Sequence, residues 1–104
     1  MIRVKLEIWM RLGKELERDF DALSEMRFVR EEEVKDGITV RDFFDDLGNR
    51  YKPIREKIIG VGRSSFYSDV VATLNDRVIT PSELFDRVLK DGDKIAVLPI
   101  FVGG

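Results

Sequence analysis

Residues 94–101, Lys-Ile-Ala-Val-Leu-Pro-Ile-Phe, carry no polar side chain after the first position. Side chains of an extended chain alternate between faces. Ile95, Val97 and Pro99 therefore share one face, and Ala96, Leu98 and Ile100 the other. A strand that is apolar on both faces is placed in the middle of a sheet, with a neighbour on each side. The apolar run Ile95 to Val102 is interrupted by Pro99 and falls far short of the roughly 20 residues a membrane span needs. At the opposite end of the chain, residues 2–9 alternate cleanly. Ile2, Val4, Leu6 and Ile8 face one way, and Arg3, Lys5 and Glu7 the other, as in a half-buried strand. The chain between these two strands is long enough to supply a crossover, so they can pair in parallel.

The intervening elements follow from local signals. Met10 to Glu25 is polar and mixed, with Leu12, Leu16, Phe20 and Leu23 at spacings of three or four. It reads either as a helical turn or as a partly ordered loop. Residues 26–34 read as a strand in which Met26, Phe28 and Val34 are in phase while Arg30 and Glu32 break the pattern. An edge position tolerates such charges, and they discourage edge-to-edge association. Asp36-Gly37 marks a turn, and Thr39 then caps a helix with Asp42 at its third position. Val40, Phe43, Phe44, Leu47 and Tyr51 give that helix an apolar stripe, read as core, and Pro53 ends it near Tyr51. Ile54, Ile58 and Ile59 allow one further apolar turn, and residues 60–68 read as a loop. Val70–Leu74 and Arg77–Ile79 form a hairpin about Asn75-Asp76. Thr80-Pro81-Ser82-Glu83 is a capping box with Pro at the first helical position, opening a short helix to about Leu89. Asp91-Gly92-Asp93 turns the chain into the last strand. The fold class expected is α+β: a β-grasp, or ubiquitin-like, mixed sheet of four to five strands with one main helix on one face, spanning 1–104 as one domain with a flexible Gly-Gly tail.

Composition narrows the chemistry. The 104 residues include no Cys and no His. That removes thiol nucleophiles, disulfides, histidine bases and the usual zinc ligand sets. The charge is high but balanced, with 18 Lys+Arg against 20 Asp+Glu, which argues against a nucleic-acid footprint and against a charge-driven disordered chain. The apolar content of 43% is enough for one core at this length, where folding buries roughly two-thirds of the unfolded surface. The alternating start is unlike a signal peptide, and a cytoplasmic domain without a membrane segment is expected.

The remaining feature is the pair Gly103-Gly104, directly after strand-quality sequence. At average glycine usage, two such residues at a terminus arise by chance about once in 200 chains. They read either as a frayed end or as a slim tail, free of side chains, that carries a carboxylate into another protein's site. With that tail, Lys90-Asp91-Gly92-Asp93-Lys94-Ile95-Ala96-Val97-Leu98-Pro99-Ile100-Phe101-Val102-Gly103-Gly104 resembles the C-terminal signature of the MoaD/ThiS-like ubiquitin-fold sulfur carriers, and above all the MoaD branch, the small subunit of molybdopterin synthase. Ile2-Arg3-Val4-Lys5-Leu6 and Asp36-Gly37-Ile38-Thr39-Val40 fit the same family. The likeness excludes 10–25 and 60–68.

The resemblance implies a mechanism. A ubiquitin-activating-type adenylating enzyme (MoeB/ThiF-like) spends ATP on the Gly104 carboxylate, and sulfur from a persulfide displaces AMP. The resulting thiocarboxylate enters a large synthase subunit (MoaE-like) and donates sulfur in molybdopterin, hence molybdenum or tungsten cofactor, biosynthesis. The carrier binds no cofactor or metal itself and is no enzyme on its own. Gly104 and Gly103 form the reactive end, and Val78, Leu98 and Phe101 are partner-binding residues. The family's apolar contact patch falls on Glu7, Val78 and Leu98, of which Glu7 is the departure; Ile100 and Val102 replace the family's Pro-Pro and Ala before the glycines. A ubiquitin-like modifier joined to lysines through Gly104 is the alternative with the same activation. An inert β-grasp interaction module is the alternative from another class, and an enzyme acting through its carboxylates ranks last.

Other signals have plainer readings. Gly60-Val61-Gly62-Arg63-Ser64-Ser65 hints at a phosphate loop but lacks the strand-to-helix setting and the following Lys. Glu31-Glu32-Glu33 and Asp42, Asp45 and Asp46 could hold a hard cation but read better as solvated faces. Trp9 and Phe101 divide evenly between core packing and recognition.

Overall fold

The structure is a computed structural model that describes residues 1–60 and 66–100. Six strands form one mixed sheet: β1 (Ile2–Ile8), β2 (Asp21–Ser24), β3 (Arg27–Val34), β4 (Val70–Leu74), β5 (Arg77–Val78) and β6 (Lys94–Pro99). Their spatial order is β2-β3-β1-β6-β4-β5. β1 and β6 are adjacent and parallel, with Lys5 opposite Lys94 and Ile8 opposite Val97, while every other pairing is antiparallel. The two-faced apolar strand thus lies at the centre, as its sequence requires.

One face of the sheet carries the helices α1 (Val40–Arg50), α2 (Lys52–Lys57) and α3 (Pro81–Asp86). Thr39 caps α1 by accepting the Asp42 N–H at 3.2 Å. Tyr51 is extended and serves both as the C-cap of α1 and the N-cap of α2, whose first turn holds Pro53. Val4, Leu6 and Ile8 of β1, Phe28 of β3, Val70, Ala72 and Leu74 of β4, and Ile95 and Val97 of β6 are buried together with Val40, Phe43, Phe44, Leu47, Ile54, Ile58 and Ile59. Each such side chain removed from water contributes about 1.5–3 kcal/mol. No helix among the described residues is long and apolar enough to cross a membrane.

Three departures from the sequence reading have local causes. Residues 10–25 are neither one helical turn nor a loose loop. A 3-10 turn at Lys14–Arg18 leads into β2, and Leu12, Leu16 and Phe20 are buried in the core. β2 pairs with β3, so β3 is not the edge strand. Arg30 and Glu32 stay in phase with Phe28 and Val34, on the helix side. There Glu32, only 4% exposed, accepts from Arg30 Nε at 2.9 Å and from Arg50 of α1. Arg30 also donates to the Asp19 carbonyl, and the Tyr51 hydroxyl donates to the Asp19 carboxylate at 3.0 Å. Burial and that bond push the Tyr51 phenol up. Arg30 and Glu32 of β3 therefore belong to one internal network that ties the 10–25 segment to α1.

The third departure is α3, which has the expected Thr80 capping box but stops at Asp86 instead of near Leu89. The backbone of 87–89 is extended against the start of α1: the Val40 N–H donates to the Arg87 carbonyl and the Leu89 N–H to the Ile38 carbonyl, both at 2.9 Å. Those tertiary bonds replace the last helical turn.

Glu32→Ala leaves two guanidinium groups without their shared carboxylate. The expected cost is about 2 kcal/mol, below the ~3–5 kcal/mol of a fully buried pair because both arginines keep contact with water. A shift of the urea midpoint at unchanged slope measures it.

Candidate functional site

Among the described residues, the other face of the sheet is bare of helices. The register sets its rows. Val29, Glu7, Ala96, Thr73 and Val78 lie side by side across β3, β1, β6, β4 and β5. Leu98 of β6 stands opposite Val71 of β4 in an adjacent row. Val78 is 58% exposed, Leu98, Val71, Thr73 and Val29 are half-buried, and Trp9, just past β1, is 37% exposed. The strand pattern that buries Ile95 and Val97 beneath the helices leaves Leu98 on this open side. Val78 and Leu98 therefore lie on the same face of the sheet. Trp9 joins them there and is no core residue.

Glu7 sits near the middle of this face and is only 3% exposed. Arg27 Nη2 donates to Glu7 Oε1 at 2.5 Å, and Lys94 Nζ lies 3.5 Å from Oε2. The Arg27 guanidinium in turn stacks 4.4 Å from the Trp9 ring centroid. The Arg27 hydrogen bond holds the Glu7 carboxyl below its ordinary range against the opposing effect of burial, helped by the charges of Lys94, Arg27 and Lys5. Arg27 and Lys94 were not signalled by the sequence. Twenty and more residues separate them from Glu7, and only the register of β1 with β3 and β6 assembles the group.

The Asp91-Gly92-Asp93 turn fixes where β6 begins and so where the tail leaves. Gly92 has φ 87°, a conformation that glycine adopts without strain. Its N–H donates to the Arg3 carbonyl at 2.9 Å, and the Arg3 N–H donates to Asp91 Oδ1 at 2.8 Å. Asp93 accepts from the Lys90 N–H and from the Asn75 side chain, joining the turn to the β4–β5 hairpin. At the far end the Ile100 N–H donates to the Asp69 carbonyl at 2.8 Å, and Ile100 is 42% exposed. Phe101, Gly103 and Gly104, and most of the 60–65 loop, lie outside the described residues. Within the acidic runs Asp45 pairs with Arg41, Asp46 with Arg50 and Glu33 with Arg3, while Glu32 is buried between Arg30 and Arg50 and so is not on a solvated face.

The fold and the bare apolar face have counterparts among known proteins. The model of the ThiS family matches residues 20–104. The chain belongs to the ThiS family. It is thus a ThiS-type sulfur carrier with a ubiquitin-like, β-grasp fold, of the kind that partners with adenylating enzymes and synthase subunits. A Pyrococcus furiosus protein assigned as molybdopterin converting factor, subunit 1, is 25% identical with a TM-score of 0.65, over 97% of this chain and 100% of that one. Small archaeal modifier protein 1 of Haloferax volcanii is 16% identical with a TM-score of 0.63, over 97% and 100% of the two chains. The BexX/CysO complex of Amycolatopsis orientalis matches at 21% identity and a TM-score of 0.57, over 97% and 99%. The latter two share the fold. No curated protein matches this ThiS-family chain in sequence.

Two outcomes follow from the geometry of this ThiS-family protein. Val78→Asp, at an exposed position, should change stability by less than about 0.5 kcal/mol in urea denaturation. Glu7 contributes stability above the ordinary carboxylate range that is lost as pH falls through its lowered folded value. In a pH series of unfolding free energies, Glu7→Gln should flatten that part of the acid limb.

Proposed function

We propose that this protein carries sulfur as a C-terminal thiocarboxylate on Gly104 and donates it in molybdopterin biosynthesis, for molybdenum or tungsten cofactor. The Gly104 carboxylate attacks the α-phosphorus of ATP on a ubiquitin-activating-type enzyme, releasing pyrophosphate and forming an acyl-adenylate. A persulfide sulfur then attacks the acyl carbon and AMP leaves. Attack by a second thiol on the acyl disulfide releases the thiocarboxylate and closes a disulfide with the donor. The carrier needs no nucleophile, base or metal of its own for these steps, which suits a chain without Cys or His. Gly103 offers no side chain to obstruct a narrow channel.

The single observation that carries this reading is that the family match runs through Gly104 and so includes the whole tail. The similarity to the Pyrococcus furiosus converting-factor subunit favours the molybdopterin acceptor. The open face supplies the docking surface in this scheme. Val78 and Leu98 contact the adenylating enzyme and then the large synthase subunit, and Phe101, two residues before the glycines in sequence, is the third partner-binding residue. A half-buried Leu98 and an exposed Val78 on the same side as Trp9 fit an interface in which apolar anchors dominate.

Intact mass spectrometry after incubation with ATP, an activating enzyme and a sulfur donor tests the scheme. The expected product has one carboxyl oxygen replaced by sulfur. Deleting Gly104, or adding a residue after it, should abolish the product while stability stays within about 0.5 kcal/mol. Leu98→Asp should weaken enzyme binding by a few kcal/mol if Leu98 is an anchor. An unmodified chain with every ubiquitin-activating-type enzyme of the source genome refutes the carrier reading in favour of an inert module. Lysine-linked conjugates without a small-molecule sulfur acceptor establish the modifier instead.

A further inference from the structure

The ion pairs of Glu7 offset the cost of burying its carboxylate, but the fold does not need a charge at this position. Its position on β1 faces the same side as Val29, Ala96 and Leu98, where an apolar side chain would pack without desolvating a charge. Replacing an ion pair in such a setting by apolar residues is often neutral or stabilising. What the pair does achieve is an asymmetry of exposure. The carboxylate side chain is 5% exposed, whereas those of Arg27 and Lys94 are 36% and 39% exposed. Lys5, directly opposite Lys94 in the β1–β6 register, adds a third cation beside the same carboxylate. Glu31 stands opposite Lys5 in the same row as Lys94, and Asp76 lies 4.0 Å from Lys94; both acids are exposed. A partner that covers the row of Val29, Glu7 and Ala96 therefore meets the heads of Arg27 and Lys94, whose shared carboxylate is buried beneath them.

We propose that Arg27 and Lys94 read a carboxylate on the docking pad of the adenylating enzyme, and that Glu7 is the positioning residue that holds them for it. The inference rests on the carrier reading above. An acidic side chain on the pad completes the coordination of the two cations as the interface dries. A wholly apolar pad, of the kind a Leu or Val at position 7 would suit, instead strips water from both cations and returns nothing. Selection against such a pad comes from that unpaired charge, and selection for the acidic one from the charge-assisted bonds. Arg27 is suited to the task because its guanidinium is flanked by the Trp9 ring and by Glu7, which limits its freedom before binding.

The test is steady-state adenylation of the full-length carrier by its activating enzyme, as carrier concentration and salt are varied. For the wild type, KM for the carrier should rise with salt. Lys94→Glu should raise KM by roughly tenfold and flatten the salt dependence, with kcat unchanged because the tail is untouched. Lys94→Arg should restore both. The double variant Glu7→Met/Arg27→Met removes the pair without leaving a lone buried charge, and should likewise raise KM while its unfolding midpoint holds. A folded Lys94→Glu with the wild-type KM and salt dependence overturns the proposal and leaves the carrier reading standing. A salt-sensitive dimer of the carrier alone, abolished by Lys94→Glu at unaltered KM, also overturns it, assigning the face to a second copy. A wild-type chain that no activating enzyme adenylates overturns both.

Discussion

The parallel pairing of β1 with β6 is the constraint on which the rest of this molecule depends. It joins the two ends of the chain at the centre of the sheet, so every other element has to fit around it. The Asp91-Gly92-Asp93 turn secures that pairing through reciprocal backbone and side-chain bonds with Arg3, and through Asp93 to Asn75 in the next hairpin. A slip of one residue in β6 would exchange Ile95 and Val97 for Ala96 and Leu98 beneath the helices. It would also move the point at which the chain leaves the sheet. Core packing and the position at which β6 ends are thus set by the same few hydrogen bonds.

Two buried glutamates show how the faces of the sheet differ. Glu32 lies on the helix side, satisfied by Arg30 and Arg50, and its network draws in Asp19, Asp46 and Tyr51. All of these groups belong to elements that must be brought together, so the network does structural work: it anchors the 10–25 segment to α1. Glu7 lies on the bare side, and the side chains of its partners Arg27 and Lys94 are 36% and 39% exposed. The same chemistry, a carboxylate between two cations, closes a core in one place and prepares a surface in the other. Which of the two it does depends on what covers the group.

The open face carries no helix among the described residues. Its apolar residues are spread over β6, β4 and β5 in a shallow field, suited to another protein and not to a small molecule. The strand that contributes Leu98 is the one that continues into the tail. Docking on this face therefore brings the partner to the root of the chain end.

Local sequence signals were sufficient for much of this. The two-faced apolarity of 94–101, the alternation of 2–9, the Thr39 cap and the Thr80 capping box each specify an element through contacts within a few residues, and all four are present. The glycine tail and the DGD turn likewise carried the family likeness that the match over 20–104 bears out. Where elements are defined by distant partners, sequence alone was insufficient. The phase break at Arg30 and Glu32 suggested an edge strand because a charge in phase with core residues has no local explanation; Arg50 and Asp19 supply it from other elements. β2 is exposed throughout and has no alternation strong enough to announce it, so its pairing with β3 defines it. The end of α3 was decided by backbone bonds to Ile38 and Val40, and the cationic cluster about Glu7 by two strand registers. The sequence by itself determined which segments are strands and helices and which of their faces are apolar, since periodicity and caps act over a few residues. Only the tertiary structure decided which charges meet and which apolar face stays uncovered, because both depend on residues far apart in the chain.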